Sequence, residues 1–478
     1  MPRRGFGDVL VLLPGLTGSV LRKDGQDLWG PSAGTLLGAA LTRGGRLGSL
    51  VLREDPVDRD DLGDGVVATR LFPDVHLIPG LWKIDGYSRL AETLRRGLAL
   101  VPGRNYFELP YDWRRDIRVA ARLLARRAHE WLARWRRTSG NEEARLVLVA
   151  HSMGGLVARA FLELHEGWRT TRALVSFGAP FRGSPSALDA LCNGSRKGPL
   201  GLVDLTALAR SCTSVHQLLP LYPAVDAGEG RLVRVTEASL PNLKPSRAAQ
   251  GLAFHEELRR AVESHRRSSR YRDRGCAIYP VVGVGQETPQ SARLVEGRVT
   301  MLPTWRGRDH SGDGTVPRAS ATPLEKGHEG REMYAGTRHA SLQSAAATLT
   351  HVVGLLGGFE IDVDAYRRAR DGVARVSLDV GDVYWRDEPI SLRARAEGPH
   401  LRLVARVRPA SGGSSVRRAR GGSRVARVTL RRDAGGVHAA ELAPLPPGSY
   451  RVTVTGGRTV EPAEDVFVVL RDRRPTGG

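Results

Sequence analysis

The residues best suited to covalent chemistry lie in the run Leu146-Val-Leu-Val-Ala-His-Ser-Met-Gly-Gly-Leu-Val-Ala-Arg159. A hydrophobic strand enters a tight turn centred on Ser152, and a helix leaves it. Such an elbow strains the serine backbone and draws strand and helix together, so small residues are needed at Ala150 and Gly154. The hydroxyl is then held at the carboxyl end of a sheet beside a helix N-terminus, a suitable place for an attacking oxygen. Alanine stands at position 150, where the pattern usually carries its first glycine.

A nucleophilic serine needs a general base, and the base needs an acid to orient it. For an elbow of this kind the chain order is Ser, then Asp or Glu, then His. Downstream, Ser311-Gly-Asp-Gly-Thr-Val-Pro317 sets Asp313 between glycines, and Thr337-Arg-His-Ala-Ser-Leu342 sets His339 in a loop just before a helix. Taken singly, Asp313 reads as readily as an Asx-turn, and His339 as one polar histidine among 13. Order favours this pair and leaves His351 and His328 open. Acyl chemistry also needs two N–H donors for an oxyanion. Met153, directly after the serine, supplies one. The glycine-rich turn Leu13-Pro-Gly-Leu-Thr-Gly-Ser19, at the end of an early strand, offers Leu16 as the other.

The elements that must position these residues are those of an α/β fold. To about residue 370, strand-like runs (Asp8–Leu13, Arg145–Ala150, Arg172–Phe177, Ile278–Val284) alternate with helical ones, as in a parallel sheet covered on both faces. The clearest helix is Ile117–Trp135, with Val119, Leu123, Leu124, Trp131, Leu132 and Trp135 on one side. Arginines 118, 122, 126, 134 and 136 lie largely on the other, a pattern that reads as a solvated face. Residues 185–250 break the alternation and are rich in leucine (Leu200, Leu202, Leu205, Leu208, Leu218, Leu219, Leu221), either a cap over an apolar pocket or an enlarged core. From about 374 to 470, alternating strands between Gly, Ser and Pro turns predict an all-β antiparallel, immunoglobulin-like sandwich. Within it Ser411–Ser423 reads as a flexible loop, and Arg471–Gly478 beyond it as a frayed tail.

The composition narrows the partners. The 478 residues carry a net charge of +21, with 67 arginines against five lysines. The skew is the mark of a GC-rich coding sequence more than of a binding device. The charge is also spread along the chain, with net +7 in residues 371–478 and no block of cations interleaved with aromatics, so no specific nucleic acid is expected. A basic surface does attract anionic lipid headgroups. The apolar runs are strand-length, short of the roughly 20 residues a membrane helix needs. No cleavable leader follows Met1-Pro-Arg-Arg4, so the chain is expected to be cytoplasmic, with peripheral membrane contact. Cys192, Cys212 and Cys276 lack metal-ligand spacing; a Cys192–Cys212 bridge and reduced thiols are both open. Asp58-Arg-Asp-Asp-Leu-Gly63 fails as a calcium loop, and Gly283-Val-Gly-Gln-Glu-Thr288 as a dinucleotide fingerprint. No metal or cofactor is expected.

Seven pieces, in order over residues 8–355, resemble the lecithin–cholesterol acyltransferase family of α/β-hydrolases, which includes phospholipid–diacylglycerol acyltransferases and lysosomal phospholipases. They are Pro14-Gly-Leu-Thr-Gly-Ser19, Leu109-Pro-Tyr-Asp-Trp-Arg114, His151-Ser-Met-Gly-Gly155, Gly178-Ala-Pro-Phe-Arg-Gly-Ser-Pro185, Leu218-Leu-Pro220, Gly312-Asp-Gly-Thr-Val-Pro317 and Arg338-His-Ala-Ser-Leu342. The resemblance implies an α/β-hydrolase domain over 1–370 with its cap at about 185–250. It implies Ser152 as nucleophile, Asp313 as acid, His339 as base, and Leu16 with Met153 at the oxyanion hole. It further implies that Asp112 and Arg114 tie a loop near the site over Trp113, that Gly178-Ala-Pro shapes the cleft floor, and that Trp29 with the residues after it belongs to a lid. The expected activity is serine-dependent hydrolysis or transfer of lipid acyl groups. A soluble ester or thioester as substrate, or a binding protein on the same scaffold, are the rival readings. The sandwich lies outside the resemblance, and neither its ligand nor the oligomeric state is legible.

Overall fold

The computed structural model describes residues 6–30, 45–77, 82–84, 86–197, 203–228, 230–323, 331–359, 376–381, 383–396, 401–409, 426–433, 436–456, 460 and 462–470. The Ser411–Ser423 loop, the tail from Arg471, His328, Leu200, Leu202, the residues following Gly30 and the junction at 370–374 lie outside the described residues. The chain divides into two compact units, Met1–Ile361 and Asp362–Gly478.

The first unit is built on a six-stranded sheet of β1 (Val9–Leu13), β2 (Tyr106–Glu108), β3 (Leu146–His151), β4 (Thr171–Phe177), β5 (Ala277–Gly283) and β6 (Met333–Ala335). The order is β6-β5-β4-β3-β1-β2, and every neighbouring pair is parallel. Helices α1 (Ser88–Gly97), α2 (Ile117–Ser139), α3 (Met153–Leu164) and α4 (Pro185–Cys192) follow in the first half, and α5 (Pro245–His265) and α6 (Ala346–Gly358) in the second. The unbroken apolar strands are explained by their two covered faces. Val9, Val11, Leu13, Leu146, Leu148 and Ala150 join one core with residues of α2 and α3, such as Leu124 and Leu156. Leu10, Leu12, Val147 and Val149 join the other with Leu90 of α1 and Val352 of α6. Strand period two divides each run between the cores, and each fully buried Val or Leu contributes about 1.5–3 kcal/mol.

Helix α2 runs four residues past the expected end to Gly140, whose φ of 71° supplies a left-handed cap. Its arginine face is largely not the free solvated surface the pattern suggested. Arg118 bridges Asp116 and Glu257 at 2.7 and 2.8 Å, while Arg122 and Arg126 both bind Asp60, the former at 2.6 Å. The acidic run that failed as a calcium loop is thus an anchor for arginines. The Asp60 carbonyl also receives Arg115 at 2.7 Å, and Arg115 meets Asp55 just upstream at 2.9 Å with both side chains buried. Fully buried Arg114 holds Asp112 at 2.6 Å, Asp64 at 2.9 Å and the Leu50 carbonyl at 3.1 Å. Trp113 donates its indole N–H to the Ser19 carbonyl and meets Trp29 edge-on, centroids 5.5 Å apart.

In the leucine-rich region, Leu205, Leu208, Leu218 and Leu219 are buried in the same core as β1 and β3, so these four enlarge the core. The region also reaches beyond residue 250 in its pairing. Val225–Asp226 and Leu232–Val233 form one four-stranded sheet with Ser291–Val295 and Arg298–Leu302. Cys192, Cys212 and Cys276 are buried and none is in a disulfide, which excludes the Cys192–Cys212 bridge. Burial pushes the Cys192 and Cys212 thiols up to about 12. Among the described residues no helix is long and apolar enough to cross a membrane.

The second unit holds a four-stranded and a five-stranded sheet around a core that includes Ile390, Leu392, Ala405, Val452 and Phe467. Tyr384 and Tyr450 pack on Phe467 at 5.4 and 5.5 Å between centroids. The pairing is antiparallel except between Val383–Trp385 and Val468–Leu470, which run parallel. This corrects the all-antiparallel expectation; the short strand Val383–Trp385 borders the last strand as a separate edge.

Removing one partner from a buried ion pair leaves the other charge uncompensated, at a cost of about 3–5 kcal/mol. Arg114→Met, which keeps the side-chain bulk and strands Asp112 and Asp64, is therefore expected to lower unfolding stability by about that amount in urea titration. A loss under 1 kcal/mol would mean that the loop is held by packing alone.

Candidate active site

Ser152 sits between β3 and α3 with φ 52° and ψ −126°, the strained conformation expected of the elbow. Its N–H donates to the Phe177 carbonyl at 2.8 Å, which locks the turn to β4. The small neighbours have a steric cause. A Cβ on Gly154 would lie 2.5 Å from the Pro14 carbonyl oxygen, and one on Gly155 2.3 Å from the Ala179 Cβ. Ala150, fully buried opposite Leu13 of β1, shows that this position accepts a methyl group.

Across the carboxyl end of the sheet, His339 Nε2 is 2.8 Å from Ser152 Oγ, and His339 Nδ1 is 2.7 Å from Asp313 Oδ2. The other oxygen of Asp313 accepts the N–H groups of Thr315 and Val316 at 2.9 and 2.7 Å. Burial acts to raise the Asp313 pKa, but the charge and hydrogen bond of His339 and the two backbone donors outweigh it and hold it below the usual value. The His339 N–H donates to the Asp313 carbonyl at 2.8 Å, so the Asp313 and His339 loops are also joined through the backbone. His351, left open by chain order, lies exposed on α6.

Two glycines make this approach feasible. Gly178, with φ 54°, would place a Cβ 2.7 Å from Asp313 Oδ2 and 3.0 Å from His339 Nδ1. A Cβ on Gly283, at the end of β5, would meet the Asp313 Cβ at 2.4 Å. The segment rejected as a dinucleotide fingerprint therefore has a structural task beside Asp313, and its Thr288 Oγ1 accepts the Gly314 N–H at 2.8 Å. The donors for an oxyanion come next. The Leu13–Ser19 turn lies against the elbow, since a Cβ on Gly15 would be 2.9 Å from the Ser152 Cβ. Neither the Leu16 nor the Met153 N–H has an acceptor among the described residues.

Sequence reasoning missed the polar groups beneath these residues. Tyr111 donates to the Pro14 carbonyl at 2.6 Å, Tyr87 Oη accepts the Gly15 N–H at 2.7 Å, and His151 Nδ1 is 2.9 Å from Tyr87 Oη. Tyr87 lies 64 positions from His151 in the chain, and no local pattern marks it. An apolar cavity of about 770 Å³ opens elsewhere in this unit, between α3 (Leu156), α5 (Leu258, Val262), Phe181, Tyr222 and Trp305. Ser152, Asp313 and His339 do not line it. Among the described residues no group of three or more His, Cys, Asp or Glu side chains is placed to hold a metal ion.

Three buried histidines make stability depend on acid. Burial, with the His339 charge, pushes His151 down to about 3, and burial pushes His216 and His255 to about 4. Below the ordinary value near 6.5 the unfolded chain binds protons that the folded chain refuses. Their contribution is thus full above pH 6.5 and declines as pH falls towards 4, by up to about 1.4 kcal/mol per unit for each histidine. Asp313 adds a loss of the same sign only at lower pH. Urea unfolding at pH 7, 5.5 and 4.5 should show stability falling stepwise; a flat profile would contradict the burial of neutral histidines.

Residues 82–294 match the family model for lecithin:cholesterol acyltransferase. No curated protein matches the chain. Among solved structures, the mature lipase BlEst2 of Bacillus licheniformis is 13% identical with a TM-score of 0.35, over 74% of this chain and 93% of that one. Its propeptide form is 11% identical with a TM-score of 0.35, over 98% and 94%. A superoxide reductase (neelaredoxin) from Ignicoccus hospitalis is 12% identical with a TM-score of 0.15, over 24% of this chain and 91% of that one. Residues 82–294, which hold the serine elbow and strands β2 to β5 of the parallel sheet, are thus similar to the lecithin:cholesterol acyltransferase family.

Proposed function

We propose that the protein is a serine-dependent lipid acyl hydrolase or O-acyltransferase acting on phospholipid or related esters. The observation that carries the reading is the unbroken hydrogen-bond line Ser152 Oγ–His339 Nε2 and His339 Nδ1–Asp313, 2.8 and 2.7 Å, set at a strained elbow. Ser152 Oγ attacks the ester carbonyl while His339 Nε2 takes its proton, and Asp313 stabilises the imidazolium. The Leu16 and Met153 N–H groups receive the oxyanion. Collapse of the tetrahedral intermediate expels the alcohol, which leaves with the proton from His339, and an acyl-Ser152 ester remains. His339 then takes a proton from the acceptor as the acceptor oxygen attacks, and returns it to Ser152. Water as acceptor gives a free fatty acid; an alcohol gives a new ester.

The lipid side of the reading rests on the family match and on the net charge of +21, which favours approach to an anionic membrane surface. The competing reading is hydrolysis of a soluble ester or thioester by the same residues.

The test uses purified full-length protein on vesicles of labelled phospholipid containing a long-chain alcohol or sterol, with Ser152→Ala in parallel. Turnover should fall by about 10³-fold or more in the variant. An acyl ester formed only with Ser152 intact identifies a transferase, and fatty acid alone a phospholipase. Turnover confined to short soluble esters, with no response to vesicles, would replace the lipid reading.

A further inference from the structure

His151 precedes the candidate nucleophile and takes no part in the acyl chemistry set out above, yet it is buried directly against the base. Its ring centroid lies 5.1 Å from that of His339, and its Nε2 is 3.2 Å from the His339 carbonyl oxygen. Its Nδ1 is 2.9 Å from Tyr87 Oη, which also accepts the Gly15 N–H at 2.7 Å. These contacts set each other's direction. The Gly15 N–H can only donate and the His339 carbonyl can only accept, so a neutral His151 ring carries its proton on Nε2 and Tyr87 gives its own to Nδ1. His151 Nδ1 is then the acceptor, and the ring proton sits on Nε2, where only a carbonyl awaits it. Because burial and the His339 charge keep the His151 ring neutral, one tautomer is retained through the working pH range.

The two ends of this chain of bonds are both parts of the proposed machinery. Gly15 precedes Leu16 in a turn that makes no strand pairing of its own at residues 14–18; the Gly18 N–H closes it onto the Gly15 carbonyl at 3.0 Å, and side chains hold its outer groups. Tyr111 holds the Pro14 carbonyl from one side and Tyr87 holds the Gly15 N–H from the other. Space is tight around them: a Cβ on Gly15 would come 3.2 Å from His151 Nδ1, and one on Gly18 2.7 Å from Tyr87 Oη. At the far end, the accepting carbonyl belongs to His339 itself.

We infer that Tyr87 and His151 are positioning residues, a buried three-bond chain that holds the oxyanion loop and the backbone of the base in one fixed relation to Ser152. The inference rests on the reading of Ser152, Asp313 and His339 as a triad. Preorganised donors act through their placement, and an error of an ångström costs up to about 100-fold in rate. Loosening the chain should therefore lower turnover while leaving ground-state binding of substrate alone.

The experiment compares wild type, Tyr87→Phe, His151→Gln, the double variant and Ser152→Ala in the full chain. Turnover of a p-nitrophenyl ester of a medium-chain fatty acid, labelling by a p-nitrophenyl phosphonate, and thermal melting are read together. Tyr87→Phe keeps the ring and removes only the hydroxyl; His151→Gln keeps a donor near the His339 carbonyl and loses the ring acceptor for Tyr87. The expected result is a kcat about 10- to 100-fold lower in each single variant with KM within about twofold. Phosphonate labelling should slow in proportion, and melting should shift little. The double variant should lose no more than the worse single one, as members of one chain do. Unchanged kcat in Tyr87→Phe beside an inactive Ser152→Ala would overturn this inference alone, as would a melting loss with normal turnover. Activity retained by Ser152→Ala would overturn the triad reading and this inference with it.

Discussion

The backbone of Ser152 is the constraint on which the rest of the first unit depends. A residue with a side chain at φ 52°, ψ −126° carries a cost on the order of 1–3 kcal/mol and persists only where its surroundings over-determine it. Here they do. β3 is fully buried between β1 and β4, α3 starts at once after the serine, and the serine N–H is spent on the Phe177 carbonyl. The elbow then dictates composition at a distance, because Pro14, Ala179 and Asp313 come so near that Gly154, Gly155, Gly178 and Gly283 have no room for a side chain. These glycines come from separate stretches of chain that meet at the carboxyl end of one sheet. The strain is a local cost carried by a large, two-faced core.

What was legible in the sequence follows from the range of the forces involved. The four long strands were readable because burial on both faces writes an uninterrupted apolar run, and the elbow because strand, small residues and helix are contiguous. The three-residue edge strands β2 and β6 were not, since a segment such as Tyr106–Glu108 is made a strand by pairing with β1 and not by its own pattern. Asp313 and His339 were indicated by chain order and by resemblance, and the hydrogen bonds around them close through loops that no periodicity describes. Tyr87 was invisible for the same reason. Its hydroxyl matters only because α1 starts where the elbow and the Leu13–Ser19 turn converge. In the second unit, alternation between about 374 and 470 indicated strands such as Ile390–Ala396, but sheet order and the parallel pair at Val383–Trp385 are set by tertiary pairing.

The arginine excess reads differently once partners are seen. The pattern along α2 read as a solvated face, and both there and in the residues just before the helix the arginines are a means of fastening. Arg114 and Arg115 are buried with Asp112, Asp64 and Asp55, while Arg122 and Arg126 share Asp60. Guanidinium suits this task, because its planar fork satisfies a carboxylate and a carbonyl at once where an ammonium would leave acceptors unmet. Charge counting over a sequence therefore separates poorly the cations that face solvent from those that close a fold.

The burial of all three cysteines makes the chain chemically quiet towards electrophiles. A thiol acts as a nucleophile only as thiolate, and burial disfavours that form at Cys192 and Cys212, while Cys276 is shielded from reagents. Reagents that usually divide between serine and cysteine meet little competition from sulfur here. A cysteine introduced on the surface, for instance at exposed Val468 of the second unit, would stand as a single addressable point for a fluorophore or spin label without prior removal of the native thiols.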